Sequence, residues 1–290
     1  MAHIPVLLEE VKNALSVVPG DFVVDGTVDG GGHAEALLPL VGAKGKILGL
    51  DLDEQILSET KKRLGGKNVI LRHGNYADLR EILSVQKLGK ADALLLDLGF
   101  SSEQLVSGRG FSFAEEARDE PLLMTFDKDD VPVKEILRRT REDALADIIY
   151  KFGEERYSRR IARAIKSAGK IETAGRLAEV VRKSLPRGYE GRRMDPATRT
   201  FQALRIYANH ELENLEKILG DLKDIVASGG RVAIISFHSL EDRIVKEKFR
   251  ELSRGKFAEL LNKKPIVASR EETKINPRSR SAKLRAIKII

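Results

Sequence analysis

The chain has no cysteine and no tryptophan, and aromatic residues fill only 5% of its 290 positions. Without cysteine there can be no disulfide, no Cys–zinc centre and no thiolate nucleophile. With so few aromatics the core must be aliphatic, and a hydrophobic content of 42% supplies one. No apolar run reaches the roughly 18 residues of a membrane span. The first ten residues lack the basic start and apolar stretch of a signal peptide, so a cytoplasmic location is the default expectation. No internal repeat or low-complexity tract is visible. The length allows one large domain or two modest ones.

Charge of one sign is in short supply only locally. The net charge is +7, but residues 105–206 carry 22 Lys+Arg against 17 Asp+Glu, and residues 254–290 carry 11 against 3. The rest of the chain is therefore mildly acidic. An acidic body with two basic attachments suggests a polyanion held at the attachments, although solvated surface gives the same numbers.

The stretch Phe22-Val23-Val24-Asp25-Gly26-Thr27-Val28-Asp29-Gly30-Gly31-Gly32-His33 dominates what is present. It reads as a buried strand, a glycine turn and the start of a helix, the way open α/β sheets present backbone N–H groups to a nucleotide-like ligand. The spacing is not the dinucleotide fingerprint, and Asp25 and Asp29 would repel a pyrophosphate. S-adenosylmethionine suits them better, having a sulfonium, an ammonium and no phosphate; a glycine turn with no ligand is the plain alternative.

An αβ rhythm follows. Strands are expected at 46–51, 68–72 and 91–97, with helices at about 33–41 and 54–64. Asp51 ends its strand where such folds place the carboxylate that accepts from ribose hydroxyls, and Asp53 is expected to cap the next helix. Tyr76 is placed to lie against an adenine. Asp97 ends an apolar strand and is followed by Leu98-Gly99-Phe100. An N–H acceptor there suits an exocyclic amine, its lone pair turned toward a methyl donor. From about 105 to 206 no strand is expected. Helices start near 133 and run at 142–151 and 154–168. The last carries Arg156, Arg159, Arg160 and Arg163. Thr173 should cap another helix, and Arg187, Arg192 and Arg193 follow in a loop. A long helix is expected over about 198–227. Strand 231–237 then resumes the sheet, a helix runs to about 252, and strands at 265–268 and 284–290 flank Arg278, Arg280, Lys283 and Arg285.

Several long motifs resemble one family. They are His3-Ile4-Pro5-Val6-Leu7-Leu8, Asp25-Gly26-Thr27, Gly30-Gly31-Gly32-His33, Leu96-Asp97-Leu98-Gly99 with Ser101-Ser102 and Gln104, and Arg109-Gly110-Phe111-Ser112-Phe113. Gly153-Glu154-Glu155, Ala197-Thr198-Arg199-Thr200-Phe201-Gln202-Ala203, Ile235-Ser236-Phe237-His238-Ser239-Leu240-Glu241-Asp242-Arg243 and the stretch from Asn276 to Arg285 continue the match. The family is the bacterial 16S ribosomal RNA cytosine-N4 methyltransferases. The resemblance implies a class I, Rossmann-like α/β methyltransferase fold with a mostly parallel seven-stranded sheet. It implies a discontinuous cofactor domain at 1–104 plus 207–290 and an inserted all-α domain at 105–206 for RNA recognition. It further implies S-adenosylmethionine contacts at Gly31, Gly32, His33, Asp51, Tyr76, Asp97 and Gln104, no metal, and N4 methylation of a cytidine in the P-site region of 16S rRNA on the assembled small subunit. Asp97 is the expected catalytic residue. Phosphate contacts are expected from Arg156, Arg160, Arg163, Arg278, Arg280, Lys283 and Arg285. Oligomeric state is left open, a homodimer included. The chain departs from the family at Pro121-Leu122-Leu123-Met124-Thr125-Phe126-Asp127, where Pro-Leu-Asp-Met-Arg-Met-Asp is usual, and at Asp29, where Gly is frequent.

Two other classes compete. His238, Ser239 and Asp242 invite a hydrolase reading, but residues so close on one element rarely face one another as a triad needs, and no nucleophile elbow exists. A non-catalytic ribosome-assembly factor would retain the fold and bind RNA.

Overall fold

A computed structural model describes residues 5–66, 68–99, 102–186, 189 and 195–290, with the backbone alone at Ser102 and Glu103. His3, Ile4, Phe100, Ser101, Arg187, Arg192 and Arg193 lie outside the described residues. The chain divides into two compact units, residues 1–99 with 212–290 and residues 100–211.

The first unit begins with α1 (Leu8–Leu15), β1 (Phe22–Asp25), α2 (Gly32–Val41), β2 (Lys46–Asp51), α3 (Glu54–Leu64), β3 (Val69–His73), α4 (Leu79–Gln86) and β4 (Ala91–Asp97). The second unit carries α5 (Ser102–Leu105), α6 (Val133–Arg139), α7 (Glu142–Gly153), α8 (Ser158–Ser167), α9 (Ala174–Ser184) and α10 (Thr198–Ala208). The chain continues through α11 (Glu211–Ile225), and then β5 (Val226–Ser236), α12 (Ser239–Arg254), β6 (Ala258–Leu260), β7 (Ile266–Val267), α13 (Arg270–Ile275) and β8 (Lys283–Ile289).

The sheet order is β3-β2-β1-β4-β5-β8-β6, with β7 also paired to β8. Strands β1 to β5 are parallel, and β8 runs antiparallel to β5. There are eight described strands, not seven, because the short β6 and β7 both pair with β8. Side chains alternate across the sheet. Val24, Leu48, Leu94, Leu96 and Ile234 face Leu83 of α4, Leu219 and Leu222 of α11 and Phe249 of α12. Val23, Ile47, Leu95 and Ile235 face Val11 of α1, Leu37 of α2 and Leu57 of α3. Strands covered on both faces have no polar side to show, which is why Ala93 to Leu96 of β4 form an unbroken apolar run. The order reverses between β1 and β4, so their carboxyl ends border the crevice where open α/β sheets bind ligands.

The expected long helix over 198–227 is two helices. His210 takes φ 51°, outside helical geometry. Asn209 fixes the break: its Oδ1 accepts from Phe126 N at 2.7 Å, and its Nδ2 donates to the carbonyls of Met124 and Arg205 at 2.8 Å each. The helix expected from 154 begins only at Ser158, because Glu154 closes α7 with φ 50°. Strand β5 starts five residues earlier than its pattern suggests, and its register against β4 shifts between Ala91 and Ala93. Helices α4 and α13 and strand β6 escaped the pattern; α13 spans only six residues and β6 three. Among the described residues no helix is long and apolar enough to cross a membrane.

Candidate active site

Three polar side chains of the first unit converge at the switch between β1 and β4. Asp25 ends β1 and is almost fully buried, at 1% exposure. His33 lies in the first turn of α2 and is 5% exposed. Asp97 ends β4, and its Oδ2 stands 3.5 Å from His33 Nε2. That is an ion-pair distance rather than a strict hydrogen bond. Asp25 Oδ2, Asp97 Oδ1 and both ring nitrogens of His33 are buried without a hydrogen-bond partner. Buried polar atoms left open in this way ask for a ligand.

Electrostatics follow from the burial. Asp25 is pushed up to about 6, chiefly by desolvation, against the lowering influence of His33. For His33, desolvation is the largest influence and lowers its pKa, but contact with Asp97 and the charge of Asp25 outweigh it and leave the imidazole above its ordinary value. A backbone-to-side-chain hydrogen bond joins the turn after β1 to the end of β4: Asp97 N donates to Thr27 Oγ1 at 2.7 Å. The Asp25-Gly26-Thr27 motif carried that link, although its chemistry gave Thr27 no role.

Asp51 occupies the end of β2. Its Oδ2 accepts from Asp29 N and its Oδ1 from Asp53 N, both at 2.9 Å. Burial nevertheless pushes its carboxyl up to about 7, with the charges of Asp29 and Asp53 adding to the rise. Asp29 takes φ 44°, the left-handed region, where glycine is at ease and Asp is among the better-tolerated substitutes. Asp53 caps α3 as expected, its side chain accepting from Gln55 N and Ile56 N. Tyr76 sits on the short turn Tyr76–Asp78, close to the β1 turn: a Cβ on Gly26 would stand 3.1 Å from Tyr76 Cβ and 2.5 Å from Leu96 Cδ2. Gly31 caps α2 at φ 78°, and Gly32 is its first residue. Gln104 belongs to the second unit, on α5, and is buried there.

The expected phosphate contacts separate into groups. Arg278 lies on the turn Pro277–Ser281, close enough to Asp29 and Asp97 for their charges to act on it; burial is the largest influence and lowers its pKa. Arg280 is exposed. Lys283 is within 3.6 Å of Asp242. Arg285 must be withdrawn as a phosphate contact: it is buried and donates from Nε to Asp242 Oδ1 at 2.7 Å. Arg156 precedes α8 rather than lying on it, with its guanidinium 5.0 Å from the Tyr157 ring centroid. Arg160 and Arg163 are on α8 and exposed, but Arg163 stands 3.5 Å from Glu142. Arg159 and Arg163 line a depression together with Glu142, Asp143 and Asp147.

The hydrolase constellation is not assembled. His238 caps α12, reciprocally bonded with Glu241, and Asp242 is taken by Arg285 and Lys283. In the second unit the altered 121–127 segment folds without the family's acid and base. Arg109 Nη1 donates to Phe126 O at 3.1 Å, and Phe126 stacks on Phe111 at 5.4 Å.

The family described as the MraW methylase family matches residues 1–290. Ribosomal RNA small subunit methyltransferase H of Syntrophus aciditrophicus is 43% identical, over 98% of this chain and 96% of its own. The enzyme of that name from Deinococcus deserti is 44% identical, over 99% and 93%. Among solved structures, Aeropyrum pernix fibrillarin with natively bound S-adenosyl-L-methionine shares 9% identity, over 93% of this chain and 67% of its own, with a TM-score of 0.42.

Proposed function

The chain belongs to the MraW methylase family, and from that premise we propose that it methylates N4 of a cytidine in the P-site region of 16S ribosomal RNA, on the assembled small subunit in the cytoplasm. S-adenosyl-L-methionine is the cofactor. The residues fit it through the open, buried polar atoms of Asp25, His33 and Asp97. Gly31, Gly32, His33, Asp51, Tyr76, Asp97 and Gln104 would hold it, Asp51 accepting from the ribose and Tyr76 covering the base. When bound it supplies an electrophilic methyl group on a sulfonium.

The observation that carries the reading is Asp97 Oδ1, buried at the strand end with no partner. A carboxylate there accepts one N–H of an exocyclic amine and withdraws that proton as the nitrogen forms its bond to carbon. Methylation at C5 of cytosine normally needs a cysteine nucleophile, and the chain has none. The cytosine must leave its stack to reach such a site. Arg160, Arg163, Arg278, Arg280 and Lys283 remain the candidates for backbone phosphates, Arg278 nearest the carboxylates. The inserted helical unit is read as the RNA-recognition part.

The test is transfer of labelled methyl groups to unmodified small subunits and to protein-free 16S rRNA, followed by mass spectrometry of the nucleosides. N4-methylcytidine from the P-site region is expected with subunits. Label in any other nucleoside, or no transfer, overturns the assignment.

A further inference from the structure

Several exposed cations near the ends of the helices are paired. Arg182 meets Asp195 at 2.7 Å, Arg176 meets Glu179 at 2.9 Å, and Arg138 meets Glu135. Helix α12 is different. Val245, Phe249 and Leu252 are buried in the sheet unit's core. Arg243, Lys246, Arg250 and Arg254 follow at spacings of three, four and four, which places them along one other face of the helix. Lys246 and Arg250 line a depression whose opposite side is Lys263, in the loop between β6 and β7. Among the described residues no carboxylate lines it, and no ion pair or hydrogen bond engages the side chain of Lys246, Arg250 or Lys263.

The floor of the depression is already satisfied. Arg285 is spent on Asp242. Asn262 Nδ2 donates to the carbonyls of Lys264 and Leu284 at 2.7 and 3.0 Å, and its Oδ1 accepts from Ala286 N at 2.7 Å. The nearby acid Glu251 is engaged by Lys248 at 2.9 Å. Asp242 is likewise held: burial raises its pKa, but Arg285 and Lys283 outweigh that and keep it below its ordinary value. The fold thus holds three like charges around one small concavity with nothing to neutralise them. Like charges so placed repel one another unless an anion sits between them. The contrast with α8 is direct, since Arg159 and Arg163 share their depression with three acids.

We propose that Lys246, Arg250 and Lys263 form a seat for an RNA phosphodiester on the sheet unit, a second grip on the nucleic acid outside the helical unit. The inference rests on the ribosomal RNA reading above. The seat fixes the backbone and reads no base, because Phe249, the aromatic side chain in its lining, is buried in the core and offers no face for a base to stack on.

The experiment compares three full-length proteins binding unmodified small subunits across a salt series: wild type, the triple variant Lys246→Gln/Arg250→Gln/Lys263→Gln, and a control, Lys44→Gln/Lys62→Gln/Lys87→Gln, with the same loss of charge at exposed positions elsewhere. Each phosphate contact contributes about 0.7–0.9 to the slope of log affinity against log salt. The seat holds one phosphodiester, so its variant should lose about 0.7–0.9 from the slope and the control less than about 0.3. Calorimetric cofactor affinity equal in all three confirms that the sheet unit is folded. A seat variant with the wild-type slope, or a control that loses as much, overturns the seat alone. A wild type that does not bind subunits overturns the ribosomal RNA reading, and the seat with it.

Discussion

His33 Nε2 and Asp97 Oδ2 lie 3.5 Å apart, although their residues are 64 positions apart in the chain. The parallel pairing of β1 with β4 makes this contact: Asp25 is in register with Leu95, so the glycine turn after β1 and the acid ending β4 open on the same crevice. An imidazole whose pKa is raised and a carboxylate with an open oxygen then share one buried site. The pair therefore has a measurable signature in stability before any substrate is added.

That signature is a loss of stability at high pH. The folded pKa of His33 is raised above its ordinary 6.5. The native state therefore keeps a proton that the unfolded chain releases, and the pair's stabilisation is complete below about 6.5 and lost as pH rises through the folded value. Asp25, raised to about 6, loses stability over a lower window, from about 4 to 6. In urea melts between pH 7 and 9, wild type should lose more stability with rising pH than His33→Gln, which keeps only the tail of the Asp51 titration near 7. Parallel curves for the two proteins would show that His33 is not the titrating group.

Cofactor binding should depend on pH through Asp51. Its carboxyl is pushed up to about 7 by burial and neighbouring acids, whereas hydrogen bonds donated by ribose hydroxyls favour the ionised form. Protonation thus competes with binding below pH 7. Affinity for S-adenosylmethionine should rise by about tenfold from pH 6 to pH 8, with proton release on binding. Asp51→Asn should bind more weakly at pH 8 and lose most of that pH dependence in calorimetry.

Much of this site is legible in the sequence, because its residues sit at strand ends bounded by strong apolar runs. Asp25, Asp51 and Asp97 each follow such a run, and the strand fixes where the acid points. What is not legible depends on partners far away in the chain. Asn209 breaks the helix through Phe126 and Met124, 83 and 85 residues distant. Arg285 looks like any other cation of a basic tail until β8 pairs with β5 and brings it to Asp242. The same pairing turns Arg285 from an expected phosphate contact into a buried ion pair.

The helical unit depends on a close approach at Gly153. A Cβ there would stand 2.5 Å from the carbonyl oxygen of Arg199 and 3.2 Å from Ala203 Cβ, so α7 and α10 must part to admit it. The backbone of α10 cannot yield as a side-chain end can. Arg199 and Gln202 also donate to the Glu154 and Phe152 carbonyls, at 2.8 and 3.2 Å. Gly153→Ala should therefore destabilise by about 1–3 kcal/mol despite alanine's better helix propensity. A urea midpoint equal to that of wild type would show that the helices separate freely.

Asp97→Asn separates chemistry from binding most sharply. Asparagine preserves the volume at the end of β4, and the backbone N–H of residue 97 can still donate to Thr27 Oγ1, which wild type holds at 2.7 Å. The variant loses the negative charge beside His33, and its side chain no longer offers a carboxylate oxygen to the target amine. If Asp97 takes the amine proton, the single-turnover rate at saturating cofactor should fall by about 10²–10⁴, while cofactor affinity changes far less. Asp97→Glu should recover little, because an added methylene displaces the carboxylate from a site where about 1 Å of misplacement costs about 10² in rate. A single-turnover rate for Asp97→Asn within a factor of about two of wild type, far short of the general-base range, would remove Asp97 from the chemistry and leave it a cofactor contact.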